Sequence, residues 1–353
     1  MLARLAVVAA LVLGLAACSG AEPSTSPPTT SPATTTAPTG TIAVLTAGPQ
    51  AMRQAAFDKS SFSDAVARDC PDCQVSFFDA QGKADTQVQQ LVAAGDAGAT
   101  VVVIDAVEPL AVVNQISALQ DLGVAVIGYD TLLDDLDYYV AYDRDQVGQQ
   151  QAHALLRAIG GSGNIMMLNG SPADPGAVQV KAAAHQVIDA GDATVVGEYD
   201  ALPDKPRATA TWLSTLLSFY PPGSLAGVYA ADDTLAGAVS QALVAAGGTV
   251  PVTGAGATLA GVRRLVTGRQ LMTVYRPVEP AAETTAGLAV AALTGNDPGV
   301  PTTSLDGVPA YLLDPVPVTV HNLRSTVVAD GYWTADAICT PRIAAECRKA
   351  GLR

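Results

Sequence analysis

The chain of 353 residues carries only three histidines, His153, His185 and His321, and none stands at a spacing that builds a metal site or a catalytic triad. Two of them fall in helical patterns, where a surface or packed histidine is the ordinary reading. There is no Gly-x-Ser-x-Gly, no phosphate-cradling Gly-x-x-x-x-Gly-Lys, and no paired cysteine and histidine. The carboxylates of the Leu132-to-Asp137 stretch lack the alternate spacing and turn glycine of a calcium loop, so they read as a solvated loop. Catalytic residues, metal and cofactor are therefore all absent from the reading, and an enzyme is not expected. Positive charge is scarce as well: 19 Lys and Arg stand against 33 Asp and Glu, a net charge of −14. That balance argues against nucleic acid or an anionic membrane face as a partner. Long apolar runs are also missing, since the stretch at 5–15 is too short to span a bilayer.

That short run is nonetheless informative. It follows a basic residue, Arg4, and ends in Leu15-Ala16-Ala17-Cys18, a pattern that resembles the bacterial lipoprotein box. The resemblance implies that residues 1–17 are a signal peptide and that Cys18 is lipidated, two acyl chains giving a stable anchor to the outer face of the membrane. An ordinary secretory signal with a chance cysteine is the alternative, and it too exports the chain. Residues 18–40 are almost entirely Ser, Thr, Pro, Ala and Gly, with Glu22 as the only charge. Such a stretch has nothing with which to form a core and reads as an extended tether. The lipid is the expected membrane contact.

Beyond the tether lie about 310 residues, more than one core usually occupies, so two lobes are expected. Besides Cys18 the chain has Cys70, Cys73, Cys339 and Cys347. An even number in an exported protein reads as two disulfides with three possible connectivities, of which sequence neighbours favour Cys70–Cys73 and Cys339–Cys347. Zinc is the competing reading, and the separation of the two pairs by most of the chain weighs against it. Short β-branched runs recur at 41–46, 74–79, 100–105, 125–129, 164–169, 193–199, 225–229 and 250–253, with amphipathic helical patterns between them. The alternation predicts open α/β sheets of parallel strands with helices on both faces. A strand pattern at 138–142 follows the fourth run without a helix between, which marks it as the crossing from one lobe to the other. In such sheets a ligand lies beyond the carboxyl ends of the strands.

Several segments carry a resemblance. GYD at 128–130, YYVAYDRDQVG at 138–148, LNGSPAD at 168–174, DDTLAGA at 232–238, LAGVRRLVTGRQLMTVYRP at 259–277 and LLDP at 312–315 are similar to the periplasmic D-xylose-binding protein family. These are type I periplasmic binding proteins, including lipoproteins, that serve ABC sugar importers. The resemblance runs from about residue 41 to residue 338 and implies a two-lobed clamp, each lobe a parallel sheet flanked by helices, joined by hinge crossings. On that basis 41–142 with 277–308 forms the N-terminal lobe, 143–276 with 309–324 the C-terminal lobe, and 325–353 an extension holding the last cysteine pair.

The same resemblance implies the ligand set. Arg53 matches an arginine at the start of the first helix, Asp130 an aspartate after the fourth strand and Asp174 an aspartate of a Ser-Pro-x-Asp loop. Asp232 opens a matching helix, and Arg276 replaces a lysine with its charge kept. Against these, Thr131 stands for an arginine, Gly176 and Ala231 for asparagines and Gly256 for an aspartate, while aromatics are missing at Gln54 and near Leu202. A hydrogen bond to a charged group is worth about 1.5–3 kcal/mol, so these losses amount to roughly 5–8 kcal/mol against the ~8 kcal/mol of a micromolar complex. The expected ligand is a sugar or polyol, xylose-like or altered, delivered by a monomeric receptor to an ABC permease. A non-transporting lipoprotein, acting as sensor co-receptor or envelope scaffold with a retuned or lost site, is the second expectation.

Overall fold

A computed structural model describes residues 39–48 and 52–353, with backbone alone over 52–58. Cys18, the signal segment and the tether therefore lie outside the described residues, and so does the side chain of Arg53. The first half of the described chain alternates β1 (Thr41–Thr46), α1 (Met52–Asp69), β2 (Gln74–Asp79), α2 (Ala84–Asp96), β3 (Val101–Ile104), α3 (Pro109–Asp121), β4 (Ala125–Tyr129) and β5 (Tyr138–Tyr142). Then come α4 (Arg144–Ala158), β6 (Ser162–Asn169), α5 (Pro175–Ile188), β7 (Asp192–Asp200), α6 (Pro206–Phe219), β8 (Gly227–Ala230), α7 (Asp233–Ala245), α8 (Leu259–Val266) and β9 (Thr273–Tyr275). The chain finishes with α9 (Val278–Thr294), β10 (Thr303–Leu305), β11 (Val308–Leu313), β12 (Val316–Val318), α10 (Ala335–Ile338) and α11 (Ala344–Lys349).

The first sheet runs β10-β11-β5-β4-β3-β1-β2 and is parallel except for β10. Its central strands are apolar on both faces because both are covered. Leu45, Ile104 and Val126 meet Leu91 of α2 with Ile116 and Leu119 of α3. Val44, Val103 and Ile127 meet Phe62 and Val66 of α1 with Ala282, Ala286 and Ala289 of α9. The second sheet has β6 between β7 and β8. The expected strand at 250–253 joins it only through the single bridge Val228–Val252, and a further bridge, Ala255–Val274, leads to the antiparallel β9–β12 pair. Glycine and proline around this run leave too few consecutive ladder bonds for a full strand.

One expected boundary shifts. β11 spans the predicted 308/309 division and pairs through Ala310–Leu313 with Tyr139–Tyr142 of β5, so these residues extend the first sheet. The chain leaves that sheet at Asp314-Pro315. Passage between the sheets thus occurs at Tyr142-Asp143, at Arg276-Pro277 and at Asp314-Pro315, and the three strands are tied together. The Tyr142 hydroxyl donates to the Pro277 carbonyl, Asp143 N to Leu313 O at 2.9 Å, and Gln146 Nε2 to Asp314 Oδ1 at 2.6 Å.

Both favoured disulfides are present, Cys70–Cys73 and Cys339–Cys347, with Cα separations of 5.4 and 5.9 Å. The second staples the C-terminal extension, whose Val327 and Ile338 pack, with Leu323 just before it, on Val262 and Leu265 of α8. Trp333 Nε1 donates to Ala257 O at 2.8 Å. Tyr332 lies against Tyr275, ring centroids 5.1 Å apart, so the extension supports β9 immediately before Arg276. Among the described residues no helix is long and apolar enough to cross a membrane.

Candidate functional site

The crossings bring several predicted residues together at the carboxyl ends of β3 and β4. Asp130, directly after β4, has φ of +60°, a left-handed conformation that an aspartate tolerates better than most residues. The turn is held in place: Asp130 N donates to Val140 O at 2.8 Å, Thr131 N to Tyr129 O at 2.7 Å, and the Tyr139 hydroxyl to Asp130 O at 3.2 Å. The side chain is thereby aimed at β9. There Arg276 Nη1 donates to both carboxylate oxygens at 3.3 and 3.2 Å. Each of these side chains is 37% exposed, so the pair faces a solvent-filled gap rather than a core. The charge of Asp130 outweighs burial and raises the guanidinium pKa of Arg276 further, which fixes its charge.

Two further charged groups join them. Arg144, the first residue of α4, donates from Nη2 to the Asp130 carbonyl at 2.6 Å and lies 3.6 Å from its carboxylate. Asp143 caps α4 by accepting from Asp145 N and Gln146 N at 2.9 and 3.1 Å, which sets the direction in which Arg144 leaves the helix. Asp105, just past β3, accepts from Thr131 Oγ1 at 3.0 Å. Burial, and then the nearby charge of Asp130, push the Asp105 carboxyl up to about 6. Thr131 thus serves a neighbouring carboxylate where the family resemblance predicts an arginine. Tyr129, Asp130, Val140, Tyr142, Arg276 and Ala281 line about 240 Å³ of open space. A second space of about 400 Å³, walled mainly by Val44, Phe62, Phe77 and Val103, reaches Asp105 and shares Tyr129.

The other expected residues are used differently. Asp174 is exposed and caps α5 by accepting from Gly176 N at 2.8 Å. Asp232 caps α7 through Leu235 N at 2.8 Å, and burial raises its carboxyl pKa. Among the described residues no hydrogen bond or ion pair links either one to Asp130 or Arg276. The structure therefore joins Asp130 to Arg276 directly, sets Thr131 beside them on Asp105, places Asp174 and Asp232 as helix caps, and adds Arg144 and Asp105. Both additions follow the carboxyl end of a strand, the one sequence signal that marks them.

Behind the site, Asp233 is 1% exposed and accepts from Gln270 Nε2, Thr273 Oγ1, Thr258 N and Thr258 Oγ1 at 2.7, 2.9, 2.7 and 3.0 Å. It ties α7, α8 and β9 together and so holds the strand that presents Arg276. Among the described residues, no group of three or more His, Cys, Asp or Glu side chains is placed to hold a metal ion. What the arrangement offers is paired donors and acceptors, suited to the hydroxyls of a polar ligand.

Comparison with known proteins gives the following. A family model described as a periplasmic binding protein domain matches residues 41–297. The D-xylose-binding periplasmic protein of Escherichia coli is 33% identical over 264 residues, 72% of this chain and 79% of that protein. A carbohydrate transporter solute-binding protein from Chloroflexus aurantiacus in complex with D-glucose superposes with a TM-score of 0.70 at 26% identity, covering 84% of this chain and 97% of that one. An ABC transporter solute-binding protein from Clostridium phytofermentans with bound β-D-glucose gives 0.71 at 22% identity, with coverages of 84% and 99%.

Proposed function

The chain belongs to the periplasmic binding protein family, and from that premise we propose that it is an extracytoplasmic receptor for a sugar or polyol, working with an ABC importer in the membrane. The single observation that carries the reading is Asp130. It is an aspartate in a left-handed turn, set at the exit of β4, facing guanidiniums supplied by β9 and α4. Charged acceptors and donors of this kind form the strong hydrogen bonds by which hydroxyls are gripped. The relatives support the ligand class, D-xylose for one and D-glucose for two others.

In this reading the ligand sits between the sheets and takes up bonds that Asp130 and the two arginines now make with one another. Asp130 stands on the first sheet; Arg276 and Arg144 stand where the chain enters or leaves the second. A ligand touching all three favours the state in which the sheets approach, and it shifts that equilibrium only by its difference in affinity for the two states. The tied crossings at Tyr142, Asp143 and Asp314 are the pivot. Cys18, outside the described residues, supplies the lipid, and residues 18–40 supply the reach that keeps a monomeric receptor beside its permease.

The space left by Gly176 also bears on the scaffold alternative. A Cβ there would lie 1.6 Å from Arg144 Nη1, so the volume is taken by a guanidinium and is not a vacant contact. This supports a retuned binder over a clamp with a lost site. A thermal-shift screen with D-xylose, D-glucose, D-allose and myo-inositol tests the proposal. At 100 times Kd a ligand adds about 2.7 kcal/mol of stability, a shift of several degrees. Absence of any response among sugars and polyols at millimolar concentration overturns it.

A further inference from the structure

Arg144 and Gly176 are 32 positions apart and belong to different helices, yet they occupy one volume. The three atoms nearest to a Cβ built on Gly176 all belong to Arg144: Nη1 at 1.6 Å, Cζ at 2.5 Å and Nε at 3.1 Å. No other neighbour approaches as closely. The guanidinium therefore sits against the first turn of α5 with its Nη1 end nearest Gly176, reaching from α4 to the Asp130 carbonyl. Its seat exists because residue 176 has no side chain. The Asp130 carbonyl and the Tyr139 hydroxyl engage part of the group, while a guanidinium carries five N–H donors in a planar fork.

We propose that Arg144 is a ligand-binding and specificity-determining residue of the cleft, its fork taking two adjacent oxygens of the sugar, and that Gly176 is the seat that positions it. The proposal rests on the receptor reading above and goes beyond it by naming the donor and the feature it recognises. Arg144 reaches the Asp130 turn from α4 while Arg276 reaches it from the end of β9, so a ligand that meets Asp130 and Arg276 lies beside the Arg144 guanidinium. A planar fork selects two oxygens on neighbouring carbons, whereas a lysine offers only a point charge.

The test is a double-mutant cycle read by calorimetry on whichever of D-xylose, D-glucose, D-allose and myo-inositol binds the wild type most tightly. Arg144→Ala is expected to raise Kd by about tenfold or more, and Arg144→Lys to recover only part of the loss. Gly176→Ala puts a methyl where Nη1 sits and evicts the guanidinium, so it is expected to raise Kd similarly. Alanine is the better helix former, which keeps the variant folded. The double variant should bind no worse than Arg144→Ala alone. Among single-deoxy analogues of the bound sugar, those lacking a partner of Arg144 should lose the least on Arg144→Ala. An unchanged Kd for Arg144→Ala, additive losses in the cycle, or equal sensitivity of every deoxy analogue overturns the proposal while leaving the receptor reading intact. If no sugar or polyol binds the wild type, the receptor reading fails and takes this proposal with it.

Discussion

Asp105→Asn is expected to make the ligand-free protein more stable at neutral pH. The Asp105 carboxyl is pushed from the usual 3.8 to about 6, first by burial and then by the charge of Asp130, with bonds from Thr131 and Ala47 and the charge of Arg276 only partly offsetting these. A carboxylate whose folded pKa lies above its unfolded one favours the fold below the unfolded value. That contribution is lost as pH rises through the folded value. Here the window runs from about pH 4 to pH 6, and a shift of about two units corresponds to roughly 3 kcal/mol of strain at pH 7.5. Asparagine keeps an oxygen for the Thr131 hydroxyl but presents an amide group to Ala47, which costs on the order of 1 kcal/mol. The net expectation is a gain of about 2 kcal/mol at pH 7.5 that disappears below pH 4, measured by urea unfolding of both proteins across pH 3.5–8. A destabilised variant at pH 7.5, or a difference that does not change with pH, refutes the reasoning.

Three other perturbations are equally specific. Asp233→Ala removes the acceptor of four hydrogen bonds, two of them buried, and should cost about 2–4 kcal/mol. Intrinsic fluorescence follows it, because Trp212 stacks on Tyr199 and Trp333 bonds Ala257, both close to the second sheet. Replacing Cys339 and Cys347 together by serine opens a loop of sequence separation 8 and should cost about 2.5 kcal/mol by chain entropy, seen as a lower urea midpoint. Burial pushes the His185 imidazole down, but its bonds to Glu198 and Asp189 and their charges prevail and raise its pKa, in a cluster that also holds Lys181 and Asp200. His185 thus stabilises the fold fully below pH 6.5 and loses that effect as pH rises through its raised pKa. His185→Gln should lower the melting temperature at pH 5.5 more than at pH 8.

The strands were legible because their burial is local: VVVI in β3 and YYVAY in β5 are short, mostly buried runs that their β-branched and aromatic composition identifies. Pairing was less so. β11 looks like a short extended piece before prolines, and nothing within it says that its partner is β5, some 170 positions earlier; the boundary expected at 308/309 missed it for that reason. The site divides in the same way. Asp130 and Arg276, singled out through their motifs, bond one another; Thr131, singled out as a departure from one, bonds Asp105; and Asp174 and Asp232, which carry motif matches, accept from the first turns of their helices. Gly176 read as a lost contact, and only packing reveals that Arg144 fills its space.

The most direct test of the account is calorimetry of the wild type and of Asp130→Asn, which keeps a residue tolerant of the left-handed turn, with D-xylose, D-glucose and myo-inositol. The account predicts saturable binding of at least one of them to the wild type, and a loss of about tenfold to a hundredfold in the variant, with unfolding midpoints alike. Equal affinity in the two proteins, or no binding of any of the three to the wild type, contradicts it.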